Sequence, residues 1–335
     1  MINNSALSIS QNSNFTDIIS IIEKSRETTF RAINSELISM YWLIGQYISE
    51  KTISENWGKS VVVNISNTIQ SHYVGIRGFS PQNLWRMVQF YETYANNEKL
   101  STLSREIPWS QNMLILTAAK TDEAREFYLQ ESIKNRYSFR ELERQINSML
   151  FERTMLSNHK HHEIITKNPS LALFRDSYVL EFLDIPDTHS EKDLQKSIVS
   201  NLKDFILEFG RDFTFVGQEY KVQVGKSDFY IDLLFYNRAL SCLVAIELKI
   251  GEFQPEHIGQ IQFYLEALDR DVKKEHENPS VGLVLCTYKD DTIVEYAMSR
   301  TLSPAMVANY NLHLPDKHIL ENKLRELAEL TQSKE

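Results

Sequence analysis

Apolar residues recur at helical spacing through the first half of the chain. Across residues 15–48 they lie three, four, seven or eight positions apart, which predicts one long helix or two abutting helices. A second helix is expected near residues 57–71. Ser80 and Pro81 then have the order of an N-cap and a first helical position, which predicts another helix start. Residues 15–156 are therefore predicted to form an all-helical domain.

An irregular stretch at residues 157–187 follows, and we interpret it as a linker between two domains. It contains the cluster His159, His161 and His162. These histidines have neither cysteine nor carboxylate partners at a fixed spacing, so they are interpreted as part of a solvated linker and not as a metal site.

The pattern changes again in residues 188–335, where short runs of β-branched and aromatic residues alternate with helical segments. This alternation predicts an α/β domain with a central mixed sheet. The expected order is a helix at 191–209, strands at 213–216, 220–224, 228–236 and 242–250, a helix at 255–270, a strand at 281–286, a helix at 292–298 and a closing helix at 316–332.

One helix of the first domain also has a candidate binding face. After Gly78, the segment beginning at Ser80 carries Asn83, Arg86 and Gln89 among apolar residues. A helix pair joined by a glycine-containing turn is typical of a helix-turn-helix, which would direct these polar side chains into a DNA groove. An amphipathic helix with a solvated polar face has the same spacing, and both interpretations stay open.

The charge balance limits how the chain can bind nucleic acid. Its 335 residues have a formal net charge of −9, and basic and acidic residues balance over residues 1–155, so the deficit lies in the second half. A uniformly basic nucleic-acid binder is excluded, and a polyanionic partner requires a local patch. No apolar run approaches the roughly 20 residues that cross a bilayer, and the polar N-terminus lacks signal-peptide features. We expect a cytoplasmic protein without membrane contact.

Candidate chemistry lies on two neighbouring predicted strands. Asp232 lies within DFYIDLLFY, and Glu247 and Lys249 lie within CLVAIELKI. Strand side chains alternate between faces, so Glu247 and Lys249 point to the same side. Charged residues in an apolar run are costly unless they are exposed, paired or bound to a metal. The series therefore indicates either an exposed edge with an ordinary Glu–Lys pair or a metal site.

The metal interpretation has a clear chemical basis. Two carboxylates can hold Mg²⁺, which prefers oxygen ligands and keeps waters and phosphate oxygens in its coordination shell. A lysine on the same face can orient an attacking water and stabilise charge that develops on a phosphoryl group. Gln260 and Tyr264 are four residues apart on the next predicted helix, so they share a helix face that can pack over these residues.

The series D…E-x-K…Q-x-x-x-Y resembles the PD-(D/E)XK nuclease superfamily. The stretches DFYIDLLFY, CLVAIELKIGEF, GQIQFYL and NPSVGLVLC together are similar to those of the YhcG-type nuclease family, and so are Tyr41–Gly45 and Trp109-Ser110 in the helical half. The resemblance implies an all-α N-terminal domain followed by a restriction-endonuclease-like α/β domain. Gln111 departs from the family pattern, in which a histidine often follows Trp-Ser.

The resemblance implies a Mg²⁺-dependent DNA endonuclease, with Mn²⁺ as an alternative metal. Asp232 and Glu247 would hold the metal, and Lys249, Gln260 and Tyr264 would complete the catalytic set. Many enzymes of the superfamily add an acid from the first core helix, for which Glu191 is the candidate; a favourable acid at a helix start is the alternative.

Double-stranded or branched DNA is the expected partner, and a homodimer is the expected assembly. The helical domain would either recognise DNA or pair two protomers. Two other functions stay open: a module that binds nucleic acid or assembles without cutting, and an RNA-cleaving enzyme.

Overall fold

The computed structural model describes residues 5–55, 57–157, 166, 168–299, 301 and 303–332. The chain forms two compact units, one ending at Glu143 and the other beginning at Arg144. The predicted linker at 157–187 therefore falls inside the second unit. Its histidine cluster, His159, His161 and His162, lies outside the described residues.

The first unit is helical, as predicted, and its described residues include no strand. The bounds are α1 Ser5–Glu55, α2 Lys59–His72, α3 Pro81–Tyr94, α4 Glu98–Ser104, α5 Trp109–Ala118 and α6 Asp122–Asn135, and α7 (Phe139–Asn147) begins here. The periodicity over residues 15–48 belongs to the single long helix α1. Within the described ranges, no helix combines the length and the apolar character that a membrane-spanning segment needs.

Close packing of α1 against α3 forms the core of the first unit. Ile48, Leu84 and Met87 are buried there. At Gly45 the two helices approach so closely that a Cβ atom would lie 2.1 Å from the Met87 carbonyl oxygen, so only glycine fits. The predicted start of α3 is confirmed, because the Ser80 side chain accepts a hydrogen bond from the Asn83 N–H.

A mixed sheet forms the centre of the second unit, as predicted, and it has six strands. The strands are β1 Ser177–Val179, β2 Phe213–Val224, β3 Ser227–Asn237, β4 Cys242–Glu252, β5 Val281–Tyr288 and β6 Ala305–Asn311, in the order β1-β6-β5-β4-β3-β2. Strands β2, β3 and β4 are antiparallel neighbours, whereas β4, β5, β6 and β1 pair in parallel. The helices are α8 Leu150–Met155, α9 Glu191–Ser200, α10 Leu202–Phe209, α11 Glu256–Ala267, α12 Asp291–Met298 and α13 Lys317–Gln332.

The two faces of this sheet contribute to separate apolar cores. Ile246 and Leu248 of β4 pack into the same core as Phe205 of α10. On the opposite face, Ala245 of β4 packs into a core that includes Ile261 of α11. Side chains thus alternate between the two faces along β4. This alternation is the basis of the predicted orientation of Glu247 and Lys249.

Four elements differ from the sequence prediction. Strand β6 was not predicted, and it forms because β5 and β1 pair with it on its two sides. The stretches 213–216 and 220–224 form one strand, β2, because a bulge between Phe215 and Gly217 absorbs the irregular residues while pairing to β3 continues. The helix predicted at 191–209 breaks at Asn201, whose backbone leaves the helical region. The predicted linker contains β1, which extends the parallel part of the sheet by pairing with β6.

A buried carboxylate explains why the second unit begins earlier than expected. Glu208 of α10 is fully buried and accepts hydrogen bonds from Arg144 of α7 and Arg153 of α8. It also accepts from the Val179 N–H at 3.0 Å, and Arg175 lies 3.6 Å away. Burying a carboxylate is costly unless it is paired, so residues 144–155 are needed by the α/β core.

Candidate active site

The two predicted acids lie where β3 and β4 separate. The paired register of these strands ends at Leu233 and Ile246, and Asp232 and Glu247 are the next residues on each strand. The Asp232 Oδ2 atom accepts a hydrogen bond of 2.8 Å from the Leu248 N–H. A side chain thus replaces the strand partner here, and the Asp232 carboxylate is held beside the β4 backbone.

The backbone of Asp232 is supported from the opposite side. Its carbonyl oxygen accepts a hydrogen bond of 2.7 Å from the Nε2 atom of Gln195, a buried residue of α9. Gln195 was not among the site residues predicted from the sequence. The available signal was its position four residues after Glu191, which places both side chains on one helix face.

Glu247 is the most buried charged group of the site, with 2% of its surface exposed. Its Oε1 atom accepts hydrogen bonds from Lys249 Nζ at 2.9 Å and from Gln260 Nε2 at 2.6 Å. Its Oε2 atom is buried and has no hydrogen-bond partner among the described residues. Buried polar atoms are normally paired, so this oxygen is suited to bind a ligand.

Helix α11 brings the predicted Gln260 and Tyr264 pair to the acids. The Gln260 side-chain amide donates both to Glu247 and, at 3.2 Å, to the Tyr264 hydroxyl. Tyr264 is buried, and burial raises the pKa of its hydroxyl. The structure therefore places Gln260 in direct contact with Glu247 and Tyr264 one hydrogen bond further away.

Glu191 lies at the edge of the site. Its Oε1 atom accepts a hydrogen bond of 3.3 Å from the Ile250 N–H, and its Oε2 atom is 3.9 Å from Lys249 Nζ. A capping box between Ser190 and Asp193 holds the start of α9, so Asp193 has a structural partner. Glu191 is thus positioned against the end of β4, with its side chain half exposed.

The local electrostatics disfavour two bare carboxylates. Burial, followed by the neighbouring Asp232 charge, raises the pKa of Glu247 to about 7. Burial also raises the pKa of Asp232, and the nearby Glu191 and Glu219 charges add to this shift. Burial lowers the pKa of Lys249, but the Glu247, Glu191 and Asp232 carboxylates together outweigh it, so this pKa is raised. Additional positive charge at this position would relieve the repulsion.

The donor set fits a hard divalent cation. Asp232 and Glu247 supply carboxylate oxygens, and the unpartnered Oε2 atom of Glu247 is the kind of ligand that Mg²⁺ prefers. Throughout the described part of the chain, no group of three or more His, Cys, Asp or Glu side chains is arranged to hold a metal. Mg²⁺ is usually bound through only one or two carboxylates, with waters and substrate oxygens in the remaining positions, so two acids suffice.

Two other polar residues near the site, His257 and Asp228, have partners of their own. His257 of α11 is partly buried, and its Nδ1 atom accepts a hydrogen bond of 3.1 Å from the Gln254 N–H. Burial and the nearby Lys249 charge lower the pKa of His257. Asp228 forms an exposed ion pair with Lys221 at 2.8 Å, so it has a partner on the neighbouring strand.

Comparisons with known proteins agree with this architecture. Residues 171–325 match the YhcG PDDEXK nuclease domain, and residues 17–153 match the DUF1016 N-terminal domain. The fold and the sequence together define the class, a nuclease of the PDDEXK type preceded by a helical domain. Gln111, which departs from the family pattern, is buried and donates to the Tyr137 carbonyl oxygen at 2.7 Å.

A curated relative identifies the family. The chain is 30% identical over 345 residues to a protein of Escherichia coli (strain K12) named "Putative nuclease YhcG", with 92% of each chain covered. The chain therefore belongs to the YhcG family. Among solved structures, a repair endonuclease from Pyrococcus abyssi is similar at 15% identity with a TM-score of 0.26, over 38% of this chain and 49% of that one.

Proposed function

We propose that this protein is a metal-dependent endonuclease that hydrolyses DNA phosphodiester bonds. Asp232 and Glu247 would hold Mg²⁺, or Mn²⁺ in its place, and Lys249 would position the attacking water. The observation that supports this proposal most directly is the buried Oε2 atom of Glu247, which has no partner within the described ranges. Its companion Oε1 atom is already occupied by Lys249 and Gln260.

Two hydrogen bonds to one oxygen leave the other in a defined position. Lys249 and Gln260 fix the Glu247 carboxylate from β4 and α11, so Oε2 does not need to reorient before it binds a cation. The Leu248 N–H fixes Asp232 in the same way. Such preorganisation holds the charged groups in position before the reaction begins, so no free energy is spent on reorienting them during the reaction.

When bound, Mg²⁺ would polarise the phosphoryl group and lower the pKa of a coordinated water. The protein residues then have separate tasks. Lys249 uses one of its three ammonium protons on Glu247, so two remain to orient a water or a phosphate oxygen. Gln260 orients Glu247, and Tyr264 orients Gln260 through its hydroxyl. Glu191 is proposed as an additional metal ligand, which would bind the metal through a water or after a rotation of its side chain.

The proposed substrate is double-stranded or branched DNA, and the proposed assembly is a homodimer. One chain carries one such set of residues, whereas a duplex has two antiparallel backbones. Two protomers related by a twofold axis would present one site to each strand. The acidic second unit does not attract DNA by its net charge, so binding must come from local patches.

The proposal is tested by incubating the purified full-length protein with supercoiled, linear, branched and single-stranded DNA and with RNA. Each substrate is assayed with Mg²⁺, with Mn²⁺ and with EDTA. Cleavage of DNA in either metal, and its loss in EDTA, supports the proposal. Cleavage that continues in EDTA contradicts the mechanism, cleavage confined to RNA contradicts the substrate, and binding without cleavage indicates a non-catalytic module.

A further inference from the structure

A segment of the first unit is free of acidic residues. Between Glu55 and Glu92 the chain contains no aspartate or glutamate, although its overall net charge is −9. The same segment contains the basic residues Lys59, Arg77 and Arg86. It corresponds to α2, the following loop and most of α3. Along its own length the segment therefore carries only positive formal charge, although Glu36 of α1 lines the same groove as Ile65 and Ile69 of α2.

The three cations of this segment are exposed to solvent. Lys59, Arg77 and Arg86 are solvent-exposed, and none forms an ion pair with any described residue. Some other cations of the unit are paired, such as Lys99 with Glu126 and Arg125 with Asp122. On α2, α3 and the loop between them, here called the α2–α3 surface, Lys59, Arg77 and Arg86 are available to a partner outside the chain.

The loop between the helices is held in a defined shape. Gly75 and Gly78 have φ angles of 83° and 94°, which glycine adopts without strain. The Asn83 amide donates to the Gly78 carbonyl oxygen, and the Trp109 indole N–H donates to Asn83 Oδ1 at 3.0 Å. Asn83 is therefore committed to the turn, which corrects the expectation that it points into a groove.

Three other polar residues in the first part of α3 lie in a row on its surface. Gln82, Arg86 and Gln89 are exposed and lie four and three residues apart, so they share one helix face. Leu84 and Met87 are fully buried on the other side of the helix. A rigid helix that presents amide and guanidinium groups in a row is suited to the backbone and base edges of a duplex.

We infer that the α2–α3 surface binds double-stranded DNA. Lys59, Arg77 and Arg86 contact phosphates, and Gln82 and Gln89 face the base edges of the major groove. The inference rests on the proposed nuclease function, which requires DNA to be held by a chain whose second unit is acidic. Phosphate contacts release counterions, so this surface supplies the affinity that the net charge opposes.

The test measures binding of the full-length protein to a short fluorescein-labelled DNA duplex by anisotropy, in EDTA so that no cleavage occurs. The double variant Arg77→Glu/Arg86→Glu is compared with Lys120→Glu/Lys134→Glu, which makes the same charge change at exposed positions elsewhere in the unit. We expect at least about tenfold weaker binding for the first variant, and a salt slope smaller by roughly 2, since each lost phosphate contact removes about 0.9. The affinity and the salt slope of the control variant should change much less.

The milder double variant Arg77→Gln/Arg86→Gln controls for misfolding caused by charge reversal. The folding of each variant is checked by circular dichroism and thermal melting. The milder variant should weaken binding in the same direction without a change in melting temperature. Equal losses for the test and control variants, or an unchanged salt slope, would overturn the inference. Stronger competition by single-stranded RNA than by duplex DNA would overturn it as well.

The outcomes also separate this inference from the proposed function. If the wild-type protein cuts DNA but Arg77→Glu/Arg86→Glu binds normally, the surface is wrong and the nuclease assignment stands. If the wild-type protein binds duplex DNA through this surface yet never cuts it in Mg²⁺ or Mn²⁺, the surface stands and the nuclease assignment is wrong.

Discussion

Competition between a proton and a metal ion at Glu247 gives a quantitative prediction. Burial and the adjacent Asp232 raise the pKa of Glu247 to about 7 in the metal-free protein. For such a pKa, roughly a tenth of the carboxyl groups are ionised at pH 6 and roughly nine-tenths at pH 8. Because Mg²⁺ binds the ionised form, its apparent affinity should rise about tenfold from pH 6 to pH 8 and then level off.

The raised pKa of Glu247 also determines how the free energy of unfolding of the metal-free protein depends on pH. The ordinary pKa of a glutamate is 4.5, so the folded protein keeps a proton that the unfolded chain loses as pH rises from 4.5 to about 7. The free energy of unfolding therefore decreases across this window, by about 3 kcal/mol at most. Saturating Mg²⁺ should restore stability above pH 7, because it binds only the folded site.

Isothermal titration calorimetry of the full-length protein with Mg²⁺ measures both effects. Titrations at pH 6 in buffers of different ionisation enthalpy should show release of nearly one proton per metal, and titrations at pH 8 should show almost none. Glu247→Gln should abolish binding, whereas Glu252→Gln, an exposed position on the same strand, should leave it unchanged. Equal affinity at pH 6 and pH 8 would refute the assignment of Glu247 as a buried metal ligand.

Three further changes test other parts of the account. Lys249→Ala should lower the single-turnover cleavage rate about 100-fold while metal affinity stays nearly constant, and Lys249→Arg should not restore it; a normal rate would make the lysine only a partner of Glu247. Arg153→Met should lower the free energy of unfolding in urea by about 3–5 kcal/mol, because the buried Glu208 carboxylate loses one of its partners. Lys99→Met, at the surface, should lower it by only about 0–1 kcal/mol. A fragment of residues 144–335 should unfold cooperatively, whereas 157–335 should be unstable; equal stability would show that residues 144–156 are dispensable.

The strands that carry the candidate site could be predicted because the relevant signals are local. Asp232, Glu247 and Lys249 lie in apolar runs whose alternation alone determines which side chains share a face. Gln260 and Tyr264 follow from helical spacing and from the order of elements along the chain. These rules act over a few residues, so they need no knowledge of distant contacts. The structure brings Glu247, Lys249, Gln260 and Tyr264 together through a connected set of hydrogen bonds.

The domain boundary and the supporting residues could not be predicted, because they depend on contacts between distant positions. Arg144 and Arg153 contact Glu208 across separations of 64 and 55 residues. The three-residue strand β1 is too short to show a periodic pattern, and it exists because β6 provides a partner. The distinctive feature of Glu247 is also a three-dimensional property: its Oε1 atom accepts two hydrogen bonds, whereas its Oε2 atom has no partner among the residues that the structure describes.

The role of Glu247 as a metal ligand is tested by comparing Glu247→Gln with Glu252→Gln in a single-turnover cleavage assay. Both variants make the same chemical change on β4, one at the buried site and one on its exposed end. With the best DNA substrate and saturating Mg²⁺ or Mn²⁺, Glu247→Gln should cut at least about 100-fold more slowly, while Glu252→Gln should match the wild-type rate. Normal cleavage by a folded Glu247→Gln protein would contradict the account.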